Sequence, residues 1–224
     1  MPSTIAIIGA GISGLTCARR LAAAGRDVVV FEKSRGVGGR MATRRTPDGY
    51  RLDHGAQYFT VRNDRFAAEV AQWQRLGHVA LWQGVIGALH AGSFRPKDNP
   101  KPRYVGVPAM NSACKYLAEG INIRLNTRVQ PPRFDGGRWH LHDDDGNELG
   151  KFDALVVSAP AAQTVELTAE AAKIRATAES VKTDGCWALM LAFANPLPLE
   201  FDGAFVEESP LSWICRNNSK PGRE

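Results

Sequence analysis

Apolar residues follow two periods in this chain, and the period changes at short stretches rich in glycine or proline. Ile5 to Ile8 is a continuous apolar run that meets a turn of Gly9, Ala10, Gly11, Ile12, Ser13 and Gly14. Leu15, Ala18, Leu21 and Ala22 then recur at helical spacing, and a second run, Val28 to Phe31, ends at Glu32. The pattern predicts strand, turn, helix and strand, with an acid at the end of the second strand.

Beyond Glu32 lies a polar, glycine-rich loop, KSRGVGGR. Strands are expected around Met41 to Thr46 and Tyr50 to Leu52, joined by Pro47-Asp48-Gly49. Asn63 or Asp64 is placed to cap a helix bearing Phe66, Val70, Trp73 and Leu76. Short β-like runs follow at Val79 to Trp82, Val85 to Leu89 and Ser93 to Arg95, and the proline- and lysine-rich Pro96 to Arg103 reads as a loop. Pro108 stands where a helix over Ala109 to Glu119 would begin, and Gly120 would end it. Strands are expected at Ile121 to Leu125 and Arg128 to Gln130, a hairpin at Arg138 to His142 and Glu148 to Lys151, and a buried parallel strand at Ala154 to Ser158. Ala161 to Val181 reads as one or two helices, and Trp187 to Phe193, Ala204 to Val206 and Ser212 to Cys215 as strands. The polar stretch Asn217 to Glu224 closes no recognisable unit.

The first four elements and their acid form the order of a dinucleotide-binding βαβ unit. Gly9 permits a tight turn, Gly11 lets the backbone approach a pyrophosphate, and Gly14 lets helix and strand pack closely. The helix then aims free N–H groups and its positive dipole end at the phosphates. Glu32 lies about eighteen residues past the last glycine, close to the spacing of a carboxylate that accepts ribose hydroxyls. An acid there repels a 2′-phosphate, so NADP is disfavoured at this site.

Composition narrows the rest. A chain of 224 residues buries a real core and holds one large or two small domains. Its 44% hydrophobic and 23% charged shares are those of a soluble globular protein. The net charge of +5 is modest and scattered, which reads as a solvated surface rather than a nucleic-acid face and would also suit anionic small ligands. Cys17, Cys114, Cys186 and Cys215 are isolated, with no metal-like spacing, as expected in a reducing cytoplasm. The first strand starts too early for a signal peptide, and no apolar run is long enough to span a membrane.

A second constellation goes beyond simple dinucleotide binding. Gly36, Gly38, Gly39 and Arg40 precede Asp53-His54-Gly55-Ala56-Gln57-Tyr58-Phe59. The glycine pair lets the loop run beside a ligand, and Arg40 offers a forked cation for phosphate oxygens. GAGISGL, FEKSRGVGGRMATRR and LDHGAQYFT resemble the flavin-containing amine oxidase superfamily. Within it, DHGAQYFT and VGVPAMNSACKYLA are most similar to the bacterial renalase-like branch, and ALVVSAPAAQ resembles the strand returning to the cofactor domain.

The resemblance implies bound FAD and an α/β fold. A Rossmann-type FAD-binding domain (1–62 and 104–163) would be interleaved with a β-rich α+β substrate domain (63–103 and 164–224), with the C-terminal part of the family fold absent. Gly9, Gly11, Ile12, Ser13 and Gly14 would face the pyrophosphate, and Glu32 the adenosine ribose, with Lys33 beside it. Gly39 and Arg40 would cover the phosphates. Ala56 and Gln57 would lie along the ribityl chain and flavin ring, Val129 would meet adenine through its backbone, and Ala159 would pass near the adenosine half.

The implied reaction is oxidation of dihydronicotinamide dinucleotides with the hydride on the wrong ring carbon, by hydride transfer to flavin N5, with molecular oxygen reduced to hydrogen peroxide. Such a substrate needs no base, so no catalytic side chain is assigned. Gln57, Tyr58, Phe59 and Thr60 would line the substrate pocket, and Trp187 could stack on a planar ring or serve the core. His54 reads either as a proton shuttle or as a histidine hydrogen-bonded within its turn. An amine oxidase and a flavin- or nucleotide-binding protein without turnover remain as alternatives.

Overall fold

The computed structural model describes residues 3–98 and 101–223. Its elements in chain order begin with β1 (Thr4–Ile8), α1 (Ile12–Ala23), β2 (Asp27–Phe31), β3 (Thr43–Arg45), β4 (Arg51–Asp53), α2 (Asp64–Arg75) and β5 (Val79–Trp82). Next come β6 (Ile86–His90), β7 (Ser93–Pro96), β8 (Arg103–Gly106), α3 (Ser112–Ala118), β9 (Asn122–Arg124), β10 (Arg133–Asp135), β11 (Arg138–His142) and β12 (Glu148–Phe152). The chain continues through β13 (Ala154–Val157), α4 (Ala161–Leu167), α5 (Ala172–Glu179), β14 (Gly203–Val206) and β15 (Trp213–Cys215). They fall into two compact units, Met1–Met41 with Cys114–Trp187, and Ala42–Ala113 with Ala188–Glu224.

The first unit is built on a parallel sheet in the order β13-β1-β2-β9. Register is fixed along its length, with Ile5 opposite Ala154 and Val28, and Val29 opposite Asn122. Such strands are covered on both faces, which is why Ile5 to Ile8 and Val28 to Phe31 read as unbroken apolar runs. Leu15 and Ala18 turn the buried face of α1 inward. A meander of β10, β11 and β12 adds Leu141 and Phe152 to a core shared with Ala6, Ile8, Phe31 and Val129. Phe31 and Phe152 meet edge to face at 5.8 Å.

The second unit holds the four-stranded sheet β15-β14-β6-β7 and the pairs β3-β4 and β5-β8. In the larger sheet β14 lies parallel to β6, with Gly203 opposite Ile86. The Asn63 side chain accepts from the Arg65 and Phe66 amides and starts α2, which buries Val70 and Trp73.

Several expectations are corrected. Arg103 does not close a loop but opens β8, whose Tyr104 lies opposite Leu81; residues 99 and 100 of that stretch lie outside the described residues. The helix expected from Ala109 begins at Ser112, because side chains take the preceding amides. Ala109 donates to Ser112 Oγ, and Met110 to Thr43 Oγ1 and Asp53 Oδ1. Arg128 to Gln130 forms no strand, only a bridge of Val129 with Asp143.

Trp187 to Phe193 forms no strand either. A strand needs a neighbour for its amides, and among the described residues none pairs with this run. Trp187 is 101% exposed and Leu189 79%, so Trp187 serves no core. In the polar stretch from Asn217, Lys220 and Arg223 are buried.

Candidate functional site

In the first unit the glycine turn, the KSRGVGGR loop and the end of β2 come together. Gly9 donates to Phe31 O, Gly38 donates to Ala10 O, and Gly11 bridges Gly38. The three glycines of the turn meet different demands. Gly9 sits at φ +108°, and a Cβ there would lie 2.5 Å from the Ser158 carbonyl oxygen. A Cβ on Gly14 would collide with the Gly9 carbonyl oxygen. A Cβ on Gly11 would meet no atom within 4 Å. Gly9 and Gly14 thus serve close packing, whereas the space beside Gly11 is open.

Helix α1 starts at Gly11 without a side-chain cap and without an acid in its first turn. Its leading amides and the positive end of its dipole are therefore free to meet an anion. Glu32 is buried, and its Oε2 accepts from the Ala10 amide at 2.8 Å while Oε1 accepts from the Ser34 amide at 2.9 Å. Two amides fix the carboxylate and leave each oxygen a lone pair for a sugar hydroxyl. The donor and acceptor set fits a dinucleotide such as FAD.

The remaining nucleotide candidates of this unit vary in their engagement. Ile12 is half-buried and Ser13 exposed at the helix start. Gly39 and Arg40 form a single 3-10 turn with Met41, and Arg40 is exposed. Lys33 Nζ donates to Gln163 Oε1 at 3.1 Å. Val129 is buried at its bridge, and the Ala159 carbonyl accepts from Thr164 Oγ1. Trp187 ends the unit fully exposed and belongs to no element.

In the second unit Ala56, Gln57, Tyr58, Phe59 and Thr60 follow β4 in irregular backbone and are all half-buried. Phe59 exchanges two backbone hydrogen bonds with Tyr104, and their rings stack at 5.8 Å. Tyr58 lies 5.6 Å from the Trp213 ring and 6.1 Å from the Trp82 ring. The Gln57 amide is committed inward. Its Nε2 donates to the Asp53 and Gly55 carbonyls, and its Oε1 accepts from Lys220 Nζ at 2.9 Å and Cys215 Sγ at 3.1 Å. The Gln57 side-chain amide is thus occupied on both its nitrogen and its oxygen. His54 is exposed, and no hydrogen bond holds it within its turn among the described residues.

Beneath this loop lies a charge cluster that sequence reasoning missed. Asp53 Oδ2 meets Arg223 Nη2 at 2.6 Å and Lys220 Nζ at 3.4 Å, with all three side chains fully buried. Burial pushes the Asp53 carboxyl up, but the charges of Lys220 and Arg223, with hydrogen bonds from Arg223 and Thr43, outweigh it and hold the group below its usual range. The Lys220 ammonium also lies 5.7 Å from the Trp82 ring centroid. The only signal in the sequence was Asp53 itself, the acid of DHGAQ.

Residues 7–72 match a family model described as the NAD(P)-binding Rossmann-like domain. A 4,4'-diapophytoene desaturase (4,4'-diaponeurosporene-forming) of Staphylococcus haemolyticus (strain JCSC1435) is 51% identical over 51 residues, which are 23% of this chain and 10% of the desaturase. Its counterpart from Staphylococcus aureus (strain Newman) is 49% identical over 51 residues. The matched stretch thus spans about a tenth of these curated relatives.

Among solved structures, a protein assigned as a protoporphyrinogen oxidase from Exiguobacterium sp. 255-15 superposes with a TM-score of 0.70 at 14% identity, over 98% of this chain and 74% of that one. A triple mutant of putrescine oxidase redesigned in its cofactor binding gives 0.55 at 16% identity, over 71% of this chain and 58% of that one. The chain has a mixed α/β fold with a Rossmann-like domain, and shares that fold with these two solved structures.

Proposed function

We propose that this chain is an FAD-dependent oxidoreductase of the renalase-like kind. Its substrate is a dihydronicotinamide dinucleotide whose reducing hydrogen sits on the wrong ring carbon. The observation that carries the reading is the cradle of the first unit: an uncapped helix start, an open face at Gly11, and Glu32 fixed by two amides. When bound, FAD supplies the hydride acceptor at N5 and passes the electron pair to molecular oxygen, so that the products are NAD(P) and hydrogen peroxide.

The amides of Ile12, Ser13 and Gly14 bind the diphosphate, and Glu32 accepts from the ribose hydroxyls with Lys33 beside it. Gly39 and Arg40 cover the phosphates, Val129 meets adenine through its backbone, and Ala159 flanks the adenosine half. The backbone of Ala56 and Gln57 orients the flavin, and Tyr58, Phe59 and Thr60 line the substrate. No general base is assigned, because the lone pair of the dihydronicotinamide ring nitrogen itself drives hydride departure. The four cysteines are all free, which suits a reducing cytoplasm. Among the described residues no helix is long and apolar enough to cross a membrane.

The test is anaerobic titration of the yellow protein with isomeric dihydronicotinamides and with a panel of amines, followed at the visible flavin band. Bleaching by the dinucleotides, with recovery of colour and peroxide on admitting air, is the expected result. Bleaching by amines alone would make the chain an amine oxidase, and a protein that takes up flavin but bleaches with neither would be a binding protein.

A further inference from the structure

We propose that Arg103 and Trp213, gathered on the ring of Tyr58, form a subsite for an oxyanion carried by the substrate. The proposal rests on the reading of Tyr58 as a substrate-lining residue.

Arg103 opens β8 opposite Trp82 of β5 and is 7% exposed. Its guanidinium carbon lies 5.0 Å from the Tyr58 ring centroid. Among the described residues the buried cations are Arg103, Lys220 and Arg223. Lys220 and Arg223 share the Asp53 carboxylate. Among the described residues Arg103 meets no carboxylate, and its Nε is buried without a hydrogen-bond partner. A second orphan lies on the same phenol: Trp213 Nε1 is buried without a partner, and the Trp213 ring is 5.6 Å from that of Tyr58.

Buried polar groups are almost always satisfied, and Arg103 Nε and Trp213 Nε1 are exceptions to that rule. Two such groups on one ring call for a common complement. Both are donors and one is charged, so the complement is an acceptor with negative charge. A planar guanidinium held against an aromatic face presents its N–H pairs to a carboxylate or a phosphate as a fork. Tyr58 orients that fork by cation–π contact, and the indole N–H adds a neutral donor. The shared chemistry is an oxyanion, whether a carboxylate on a small ring or the diphosphate of a dinucleotide.

The test compares the full chain with FAD bound, as wild type, R103M, R103K and W213F, by calorimetric titration and thermal melting. The probes are benzoate for the carboxylate arm, inorganic pyrophosphate for the phosphate arm and benzamide as a neutral control. Wild type is expected to bind at least one oxyanion and not benzamide. R103M should weaken that binding at least tenfold, and W213F a few-fold. R103K keeps the charge without the fork and should fall between wild type and R103M. The oxyanion that binds wild type should raise its melting temperature and raise that of R103M less. If wild type binds neither oxyanion, or R103M or R103K binds as tightly as wild type, the subsite is refuted. These readouts need no turnover, so a failure of dihydronicotinamides to bleach the flavin leaves them standing, and failed oxyanion binding leaves the flavin chemistry standing.

Discussion

The Asp53 carboxylate and the Arg223 guanidinium stand 2.6 Å apart in a fully buried pair, though 170 positions separate them in the chain. With Lys220 they place two cations on one carboxylate. Asp53→Asn would leave both cations buried against a neutral amide, and breaking a buried ion pair from one side costs about 3–5 kcal/mol. Chemical denaturation should show that loss as a lower midpoint with an unchanged slope. An unaltered midpoint would mean that the cluster does not hold the second unit together.

The same carboxylate sets an acid limit. Folded Asp53 titrates below its ordinary value of 3.8, so the unfolded chain takes up this proton first as pH falls. The contribution to stability is complete above about pH 5 and drains away as pH drops below about 4 toward the folded value. Melting temperature measured across that acid range should fall in wild type and fall less in Asp53→Asn. Parallel curves for the two proteins would contradict the assignment.

Gly11 and Gly14 separate ligand binding from folding. Gly14→Ala drives a methyl into the Gly9 carbonyl, and overpacking of this kind costs about 1–3 kcal/mol. Gly11→Ala meets nothing within 4 Å, so its thermal stability without cofactor should match wild type. Its methyl occupies the face open to the diphosphate, and flavin affinity should drop at least tenfold by fluorescence titration. Tight flavin binding by Gly11→Ala would move the diphosphate away from this turn.

The cysteines should separate by reactivity. Burial pushes the Cys114 thiol up to about 12, so only about one molecule in ten thousand is thiolate at pH 8. Cys186 is exposed. Brief alkylation of the native protein followed by peptide mass spectrometry should label Cys186 and leave Cys114 untouched until denaturant is added.

The βαβ unit was legible because its logic is local: Gly9 to Glu32 encodes turn, helix and acid in one short stretch. The apolar runs of β1, β2 and β13 were legible for a related reason, since a strand covered on both faces shows no alternation. What escaped was everything set by distant partners. Lys220 and Arg223 sit in a polar stretch that closes no recognisable unit, and contact with Asp53 places them inside the second unit. Arg103 closes a proline- and lysine-rich segment, yet pairing with β5 makes it the start of a strand. Trp187 to Phe193 has the composition of a strand, but composition supplies no neighbour for its amides. Tertiary pairing decided each of these against local propensity.

The parallel contact of β6 with β14, Ile86 to Gly203, also orders events during synthesis. A ribosome works from the amino terminus, so β6 emerges more than a hundred residues ahead of its neighbour and waits with one flank unpaired. An open sheet flank invites intermolecular pairing. Translation speed and holdase supply over that interval should therefore govern the yield of native protein.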